Sequence, residues 1–440
     1  MTPDELKSHV DTIVIVMMEN RSFDHVLGYL RNSAYGNRSD VDGIESLTNN
    51  AYVNINLDGQ AKPLFWMPDG PLINDLPHDS GGTTNQMKYS AVARRYLMTG
   101  FVETFENRTH AKMTAPPVMG LLRPSDLPTT SVLADRYCVC DRWFASVPSS
   151  TQPNRLMALC GVTPLRDLAT LLPDLPTVYD WLSTRNVRWR VYAAGLPFFM
   201  MMPRLLDLVL TDRIRRFSAL AHDLATDPAD QRPQVIFIEP DYYDSPVHLQ
   251  PPCDNHPPLA IAPGEAFLAQ VHQALAASPL WGRSVLILTH DEHGGFFDHV
   301  PPLAVGYHDP GGTAFTTTGP RVPAIVAGPY APRGTSHIAL DHTSVLQLLA
   351  ERFGKPGESY SAAVDDRRRQ GIRSVSELLA AGANNTASCR FAPPGTFAAP
   401  TSANPPELRP AFDAAFRALV AKHPTEALRK YPELGGYRTP

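Results

Sequence analysis

Four short runs of aliphatic residues constrain the fold of this chain most: Ile13–Val16, Val235–Ile238, Val285–Leu288 and Val322–Val326. A strand with one face in water alternates polar and apolar residues. A continuous apolar run instead predicts a strand covered on both faces, as in a parallel sheet. Parallel strands need long crossover connections, which helices usually supply. Two segments between or after these runs have helical spacing: Gly264–Trp281, with Phe267, Val271, Leu275 and Leu280 at intervals near four, and Thr343–Phe353. The alternation predicts an α/β sandwich of three layers, a mostly parallel sheet with helices on both faces.

The length suits this architecture. With 440 residues and 43% hydrophobic composition, the chain can bury a large core. We read residues 1–380 as one catalytic domain and 381–440 as a C-terminal extension packing on it. Residues 49–148 lack any clean period and are rich in Pro, Gly, Asn and Asp, which predicts long loop insertions over one edge of the sheet. The tail from Ala381 is expected to pack loosely apart from a short helix over Glu407–His423. The balance of 39 basic and 44 acidic residues gives a net charge of −5, which argues against a nucleic-acid partner or an anionic membrane surface, where a strong basic excess would help. Arg367–Arg369, after Asp365 and Asp366, reads as a solvated surface segment. Cys138 and Cys140 are too close for a zinc knuckle, so the five scattered cysteines read as buried or reduced thiols, with one isolated disulfide the alternative. No apolar stretch is long enough to span a bilayer, which leaves transient contact with a membrane surface. The N-terminus lacks the basic and apolar regions of a signal peptide. Cytoplasmic residence is the expectation, with secretion the alternative if the chain is a trimmed form.

In open parallel sheets, ligands bind beyond the carboxyl ends of the strands. Two acidic segments stand there. Thr12–Met18 runs into Glu19-Asn20-Arg21-Ser22-Phe23-Asp24-His25, and Ser284–Thr289 runs into Asp291-Glu292-His293-Gly294-Gly295-Phe296-Phe297-Asp298-His299. Hard oxygen ligands at one edge suit one divalent ion, Ca²⁺, Mg²⁺, Mn²⁺ or Zn²⁺. Successive strand residues point to opposite faces, so Asp291 and Glu292 can share an ion only if the backbone turns after the strand. Gly294-Gly295 permits such a turn. By itself Glu19 also reads as a helix cap or a surface acid.

A third segment is Ser149-Ser150-Thr151-Gln152-Pro153-Asn154-Arg155. Thr151 precedes a Pro and an apolar helical stretch, so it reads either as a plain N-cap or as a hydroxyl nucleophile at a helix N-terminus. His78 and His256 lie on polar loops and are candidates for proton transfer, with His293, His299 and His342 as further candidates.

These segments, together with Asp254-Asn255-His256-Pro257, resemble in order the motifs of the phosphoesterase family. That family includes bacterial phosphatidylcholine-hydrolysing phospholipases C, plant non-specific phospholipases C and acid phosphatases. The resemblance extends from about Asp11 to Phe353. It implies an alkaline-phosphatase-like fold and one catalytic divalent metal held by Glu19, Asn20, Thr151, Asp291 and Glu292. It also implies His78 and His256 flanking the phosphoryl group, and phospholipid cleavage on the glycerol side through a phosphothreonine on Thr151. Asn255 stands where family members often carry a second Asp, which predicts a lower pKa for His256.

Sulfatases use a Cys or Ser in a motif spaced like Thr151-x-Pro153-x-Arg155, converting it to an aldehyde. Threonine, with its β-methyl, cannot give that aldehyde, so phosphate is the expected substrate. A phosphatase acting on small soluble phosphomonoesters remains the alternative enzyme, and a non-catalytic metal-binding relative the alternative from another class. Phe198–Met202 reads either as an apolar lip for acyl chains or as buried core.

Overall fold

The computed structural model describes residues 1–70, 72, 75–386, 389–392 and 406–438. The parts of the predicted C-terminal tail at 387–388, 393–405 and 439–440 lie outside the described residues.

The eight strands of the main sheet are, in chain order, β1 (Thr12–Met18), β2 (Cys138–Cys140), β3 (Trp189–Ala193), β4 (Ile214–Arg216), β5 (Val235–Glu239), β6 (Ser284–His290), β7 (Ala324–Ala327) and β8 (Gly334–Ser336). Their spatial order is β4-β3-β5-β1-β6-β7-β2-β8. β1 lies at the centre, with Val14 opposite Ile236 on one side and Leu286 on the other, both pairings parallel. β7 runs antiparallel to both its neighbours, β6 and β2. The sequence reading took the Val322–Val326 run as one more parallel strand. Its composition reports burial on two faces, but direction depends on the connection that precedes it.

The alternating side chains of the central strands feed two separate cores. Ile13 and Ile15, Val235 and Phe237, and Val285 and Ile287 face one. Val14 and Val16, Ile236 and Ile238, and Leu286 and Leu288 face the other. Each face is covered by helices. The helices that matter here are α1 (Phe23–Leu27), α2 (Ser80–Met87), α3 (Phe101–Thr109), α4 (Thr151–Cys160), α5 (Ala262–Ala276), α6 (Thr343–Phe353) and α7 (Arg409–Lys422). Leu156 of α4, Leu346 and Leu349 of α6 and Phe412 of α7 belong to the first core. Phe267 and Val271 of α5 belong to the second. Every such side chain removed from water contributes about 1.5–3 kcal/mol, offset by the ordering of the chain.

Three further expectations change. Residues 49–148 are not only loops: they supply β2, α2 and α3. α2 carries little apolar signal because it starts on a side-chain cap, Asp79 accepting from Gly82 N at 2.7 Å, and its burial comes from tertiary packing. The tail beyond the predicted helix, which forms as α7, is not loose: Ala427, Tyr431 and Leu434 are buried like Phe412 and Phe416 of the helix. Arg367 is not solvated. It is buried, bonded through Nε to Asp341 at 2.6 Å and through Nη2 to the Ser146 carbonyl at 2.8 Å, while Arg368 and Arg369 remain at the surface. Asp341 is 26 residues away in sequence, so only the fold supplies that partner. Of the two readings of Phe198–Met202, the structure takes core over lip, every residue of it buried. The five cysteines are free.

Candidate active site

β1 and β6 end side by side, and their continuations meet. β6 stops at His290, and Gly294 and Gly295 take φ values of 62° and 74°. A Cβ at Gly294 would stand 1.9 Å from the Asn20 carbonyl oxygen. Only glycine permits that approach, and it brings the two acidic segments into contact. Asp291 Oδ1 accepts from Asn20 N at 3.1 Å and from Glu292 N at 2.8 Å. Asn20 itself has φ 57°, in the left-handed region that Asn tolerates better than most residues.

α4 enters the same place. Thr151 is the first residue of the helix, and Ser150 is the N-cap. The plain-cap reading of Thr151 therefore fails. Its Oγ1 donates instead to Asn20 Oδ1 at 3.4 Å, across 131 residues of sequence. One turn on, Arg155 lies on the same helix face. Its guanidinium stands between the two acidic segments, 3.0 Å from Glu19 Oε1 and 3.2 Å from Asp291 Oδ2. Nη1 also donates to Tyr242 Oη at 3.0 Å, and the cation lies over the Phe198 and Tyr242 rings. Arg155 ends the segment Ser149–Arg155, where residue type alone assigns it no role. Its i, i+4 spacing from Thr151 was the available signal.

All the predicted oxygen ligands are buried. Burial raises the Glu19 carboxyl well above the carboxylate range, with Arg155 opposing and Asp291 adding to the rise. Glu19 Oε2 and Glu292 Oε1 have no hydrogen-bond donor among the described residues, and Glu19 Oε1 has only the Arg155 guanidinium at 3.0 Å. A buried carboxylate left without donors costs several kcal/mol, so these oxygens fit a cation. Asp291 differs, because its oxygens already accept from two backbone N–H groups and Arg155. Glu292 Oε2 accepts from Gly294 N at 2.8 Å and faces His293 Nδ1 at 3.1 Å. The structure thus brings Glu19, Asn20, Thr151 and Asp291 together through direct contacts, with Arg155 inside the ring.

The histidines form the other end. His78 Nδ1 donates to the Leu76 carbonyl at 2.7 Å, which leaves Nε2 facing Glu407 Oε2 at 3.5 Å. His256 Nδ1 bonds the Pro257 carbonyl, and its Nε2 is 4.0 Å from Asp75 Oδ2. The two rings stand edge to face with centroids 6.0 Å apart. Burial alone would lower both. For His256, Asp75, Asp244, Glu19 and Asp254 reverse this and raise it to about 10. For His78, Glu292, Asp75 and Glu407 hold it well above the ordinary value. The predicted lowering at His256 is therefore overturned: Asn255 does remove one charge, but other carboxylates arrive from distant segments.

Asp75, Asp244 and Glu407 were not found from sequence, being isolated acids in irregular segments. Glu407 lies just before α7, and the neighbouring Leu408 N donates to Asp244 Oδ2 at 2.7 Å. The remaining histidine candidates have partners of their own. His293 bonds Gln86 Oε1 at 2.7 Å, and His342 holds the Asp291 carbonyl at 2.6 Å. His299 pairs with Asp24 at 2.7 Å and with Asp42 at 3.1 Å.

Two groups of three ligand-type side chains bring their donor atoms within 4.8 Å of one another among the described residues: Asp75, His78 and His256, and Asp24, Asp298 and His299. The second group encloses Arg321, which pairs with Asp24 at 3.0 Å and Asp298 at 2.9 Å, so its charge is already balanced. The predicted set Glu19, Asp291 and Glu292 does not close to that distance, since Arg155 separates Glu19 from Asp291.

Residues 10–356 match the model of the Phosphoesterase family. The chain is 31% identical over 380 residues to non-specific phospholipase C1 of Arabidopsis thaliana, covering 80% of this chain and 68% of that protein. It is 27% identical over 417 residues to phospholipase C A of Mycobacterium tuberculosis, covering 80% and 74%. Against the other plant relatives, such as non-specific phospholipase C6, the chain spans about two thirds of the length or slightly less, 63% in that case. Among solved structures it is loosely similar to a protein in the alkaline phosphatase superfamily from Vibrio parahaemolyticus, with a TM-score of 0.37, 11% identity and coverage of 61% and 67%.

Proposed function

The chain belongs to the Phosphoesterase family, and from that premise we propose that it is a phospholipase C-type phosphoric ester hydrolase with Thr151 as nucleophile. The observation that carries this reading is the hydroxyl of Thr151 at the start of α4, pointed at Asn20 between two segments of buried acids and an arginine. The phospholipases named above supply the substrate class.

In this reading Glu19, Asn20, Thr151 and Glu292 would hold one divalent cation, with Asp291 beside them on Arg155. When bound, the ion would supply Lewis acidity that lowers the hydroxyl pKa of Thr151 and balances phosphoryl charge. Thr151 Oγ gives its proton to solvent and attacks phosphorus, and the bond from phosphorus to the glycerol oxygen breaks. His256, raised to about 10 and so protonated at neutral pH, gives its proton to the leaving alcohol. His78, held cationic by its carboxylates, faces the phosphoryl oxygens. The N-terminal amides of α4 favour the same negative charge. Water then releases phosphate ester from Thr151. The cationic Arg155 holds two of the acids, Glu19 and Asp291, in place.

The test is trapping by acid quench during turnover of a choline phosphodiester, followed by mass spectrometry of the peptide spanning Ser149–Arg155. A phosphoryl group on Thr151 is expected. Turnover with phosphate found on another residue, or on none, overturns the nucleophile. Preference for a simple phosphomonoester over the diester would move the substrate assignment to the acid phosphatase alternative.

A further inference from the structure

α2 starts two residues after His78, and at its far end the chain leaves the globule as a small hairpin. Tyr89–Ser90 pairs antiparallel with Arg95–Tyr96. The base is firmly anchored: Met98 N donates to the Met87 carbonyl at 3.0 Å, Leu97 N donates to the Lys88 carbonyl at 3.1 Å, and Met87 and Met98 are buried. The tip is the opposite. Val92 is 99% exposed, the largest value among the exposed large hydrophobics, and Tyr89 is 55% exposed. Ala91 and Ala93 beside Val92 are also exposed.

The tip has a defined shape. Ser90 Oγ accepts from Ala93 N at 3.1 Å, and Arg94 takes a left-handed φ of 50°. The two tyrosine rings pack against each other across the strands, with centroids 5.1 Å apart. Within Lys88-Tyr89-Ser90-Ala91-Val92-Ala93-Arg94-Arg95-Tyr96 there are three cations and no anion, although the whole chain carries −5. Lys88 is paired with Glu103 at 2.8 Å. Arg94 and Arg95 are exposed and make no ion pair among the described residues.

An apolar tip, two tyrosines behind it and unpaired arginines at the same level form a layered pattern. It matches the acyl, interfacial and phosphate layers of a bilayer surface. We propose that the hairpin at 88–96 docks this protein on anionic lipid surfaces, with Val92 inserted among the acyl chains and Arg94 and Arg95 on lipid phosphates. An acidic protein surface would satisfy the arginines but would leave Val92 without a role, so the lipid surface is favoured. α2, about 12 Å long, is the strut between the docked hairpin and the loop that carries His78. The purpose of such docking rests on the phospholipase reading, but the docking itself is read without turnover.

The experiment is co-sedimentation of the full chain with vesicles of phosphatidylcholine alone and of phosphatidylcholine mixed with phosphatidylglycerol. The wild type should sediment with the mixed vesicles and far less with the neutral ones. Each cation removed should weaken binding about fivefold, so Arg94→Glu with Arg95→Glu should lose more than about twentyfold. Val92→Asp should lose about tenfold. These positions are exposed, so melting temperature and hydrolysis of soluble p-nitrophenylphosphocholine should stay as in the wild type. No preference for anionic vesicles, or equal binding by the variants, overturns the proposal. Loss with the arginine variant but not with Val92→Asp also overturns it and points to a purely ionic partner. Absence of soluble phosphoester turnover in the wild type would defeat the phospholipase reading while leaving the binding result standing.

Discussion

The carboxylate end of the site and the histidine end are built from different kinds of structure. At the carboxylate end, Glu19 and Asp291 each follow the last residues of a central strand, and α4 brings Thr151 and Arg155 on one helix turn. Two ladders of backbone hydrogen bonds and one glycine contact fix their positions. At the histidine end, His78, His256, Asp75, Asp244 and Glu407 all come from irregular segments, the last of them beyond the matched region. No ladder sets those positions. What holds them is charge, with two raised histidines facing several carboxylates. An end built on strands should tolerate no chemical substitution but stay folded. An end built on loops and charge should respond in graded fashion, and to pH.

The sharpest break of the comparison is Thr151→Ala. It should lower turnover by about three orders of magnitude or more, as loss of a nucleophile does. Because Ser150 is the cap, stability should change by less than the ~1 kcal/mol typical of a lost cap. Thr151→Ser should keep measurable activity. Turnover normalised to folded protein by circular dichroism checks this, and near-normal activity in a well-folded Thr151→Ala protein would remove the nucleophile from this helix.

Next in size is metal removal. Exhaustive chelation should abolish hydrolysis, and one divalent cation should restore it. Glu19→Gln should reduce metal content in elemental analysis, whereas His78→Gln should not. Retention of metal by the first and loss by the second would place the ion at Asp75, His78 and His256 instead.

His256→Ala should cost about 10²–10⁴-fold on esters of poorly acidic alcohols and much less on p-nitrophenyl esters, whose leaving group needs little protonation. An equal loss on both substrates would make His256 a positioning residue.

The smallest effect is expected at Glu407. Burial favours neutral His78, and Glu407 is one of three carboxylates that raise it. Glu407 itself is lowered to about 2 by His78. Glu407→Gln should therefore lower the His78 pKa. The alkaline limb of the kcat/KM profile, where protonated His78 is lost, should move to lower pH. The loss in rate at neutral pH should be at most about tenfold, the worth of one pKa unit. Glu407→Asp should restore most of it. An unmoved pH profile would mean that this segment only packs against the site.

The family, the class of fold, the strand runs, both acidic segments and the threonine were legible in the sequence. Each depends on residues adjacent in the chain: apolar continuity for the strands, and uninterrupted motifs for the site. Tertiary structure decided the rest. It reversed the direction of β7, buried Arg367 on Asp341, and placed Phe198–Met202 in the core. It set Arg155 between Glu19 and Asp291. It also surrounded His256 with acids that a neighbouring Asn seemed to deny it. The physical reason is the same throughout: periodicity reports how a segment meets its own neighbours, whereas the charge on a buried side chain depends on what stands beside it in space. At Glu407 and His78, 329 residues apart, the partner was set only when the whole chain had folded.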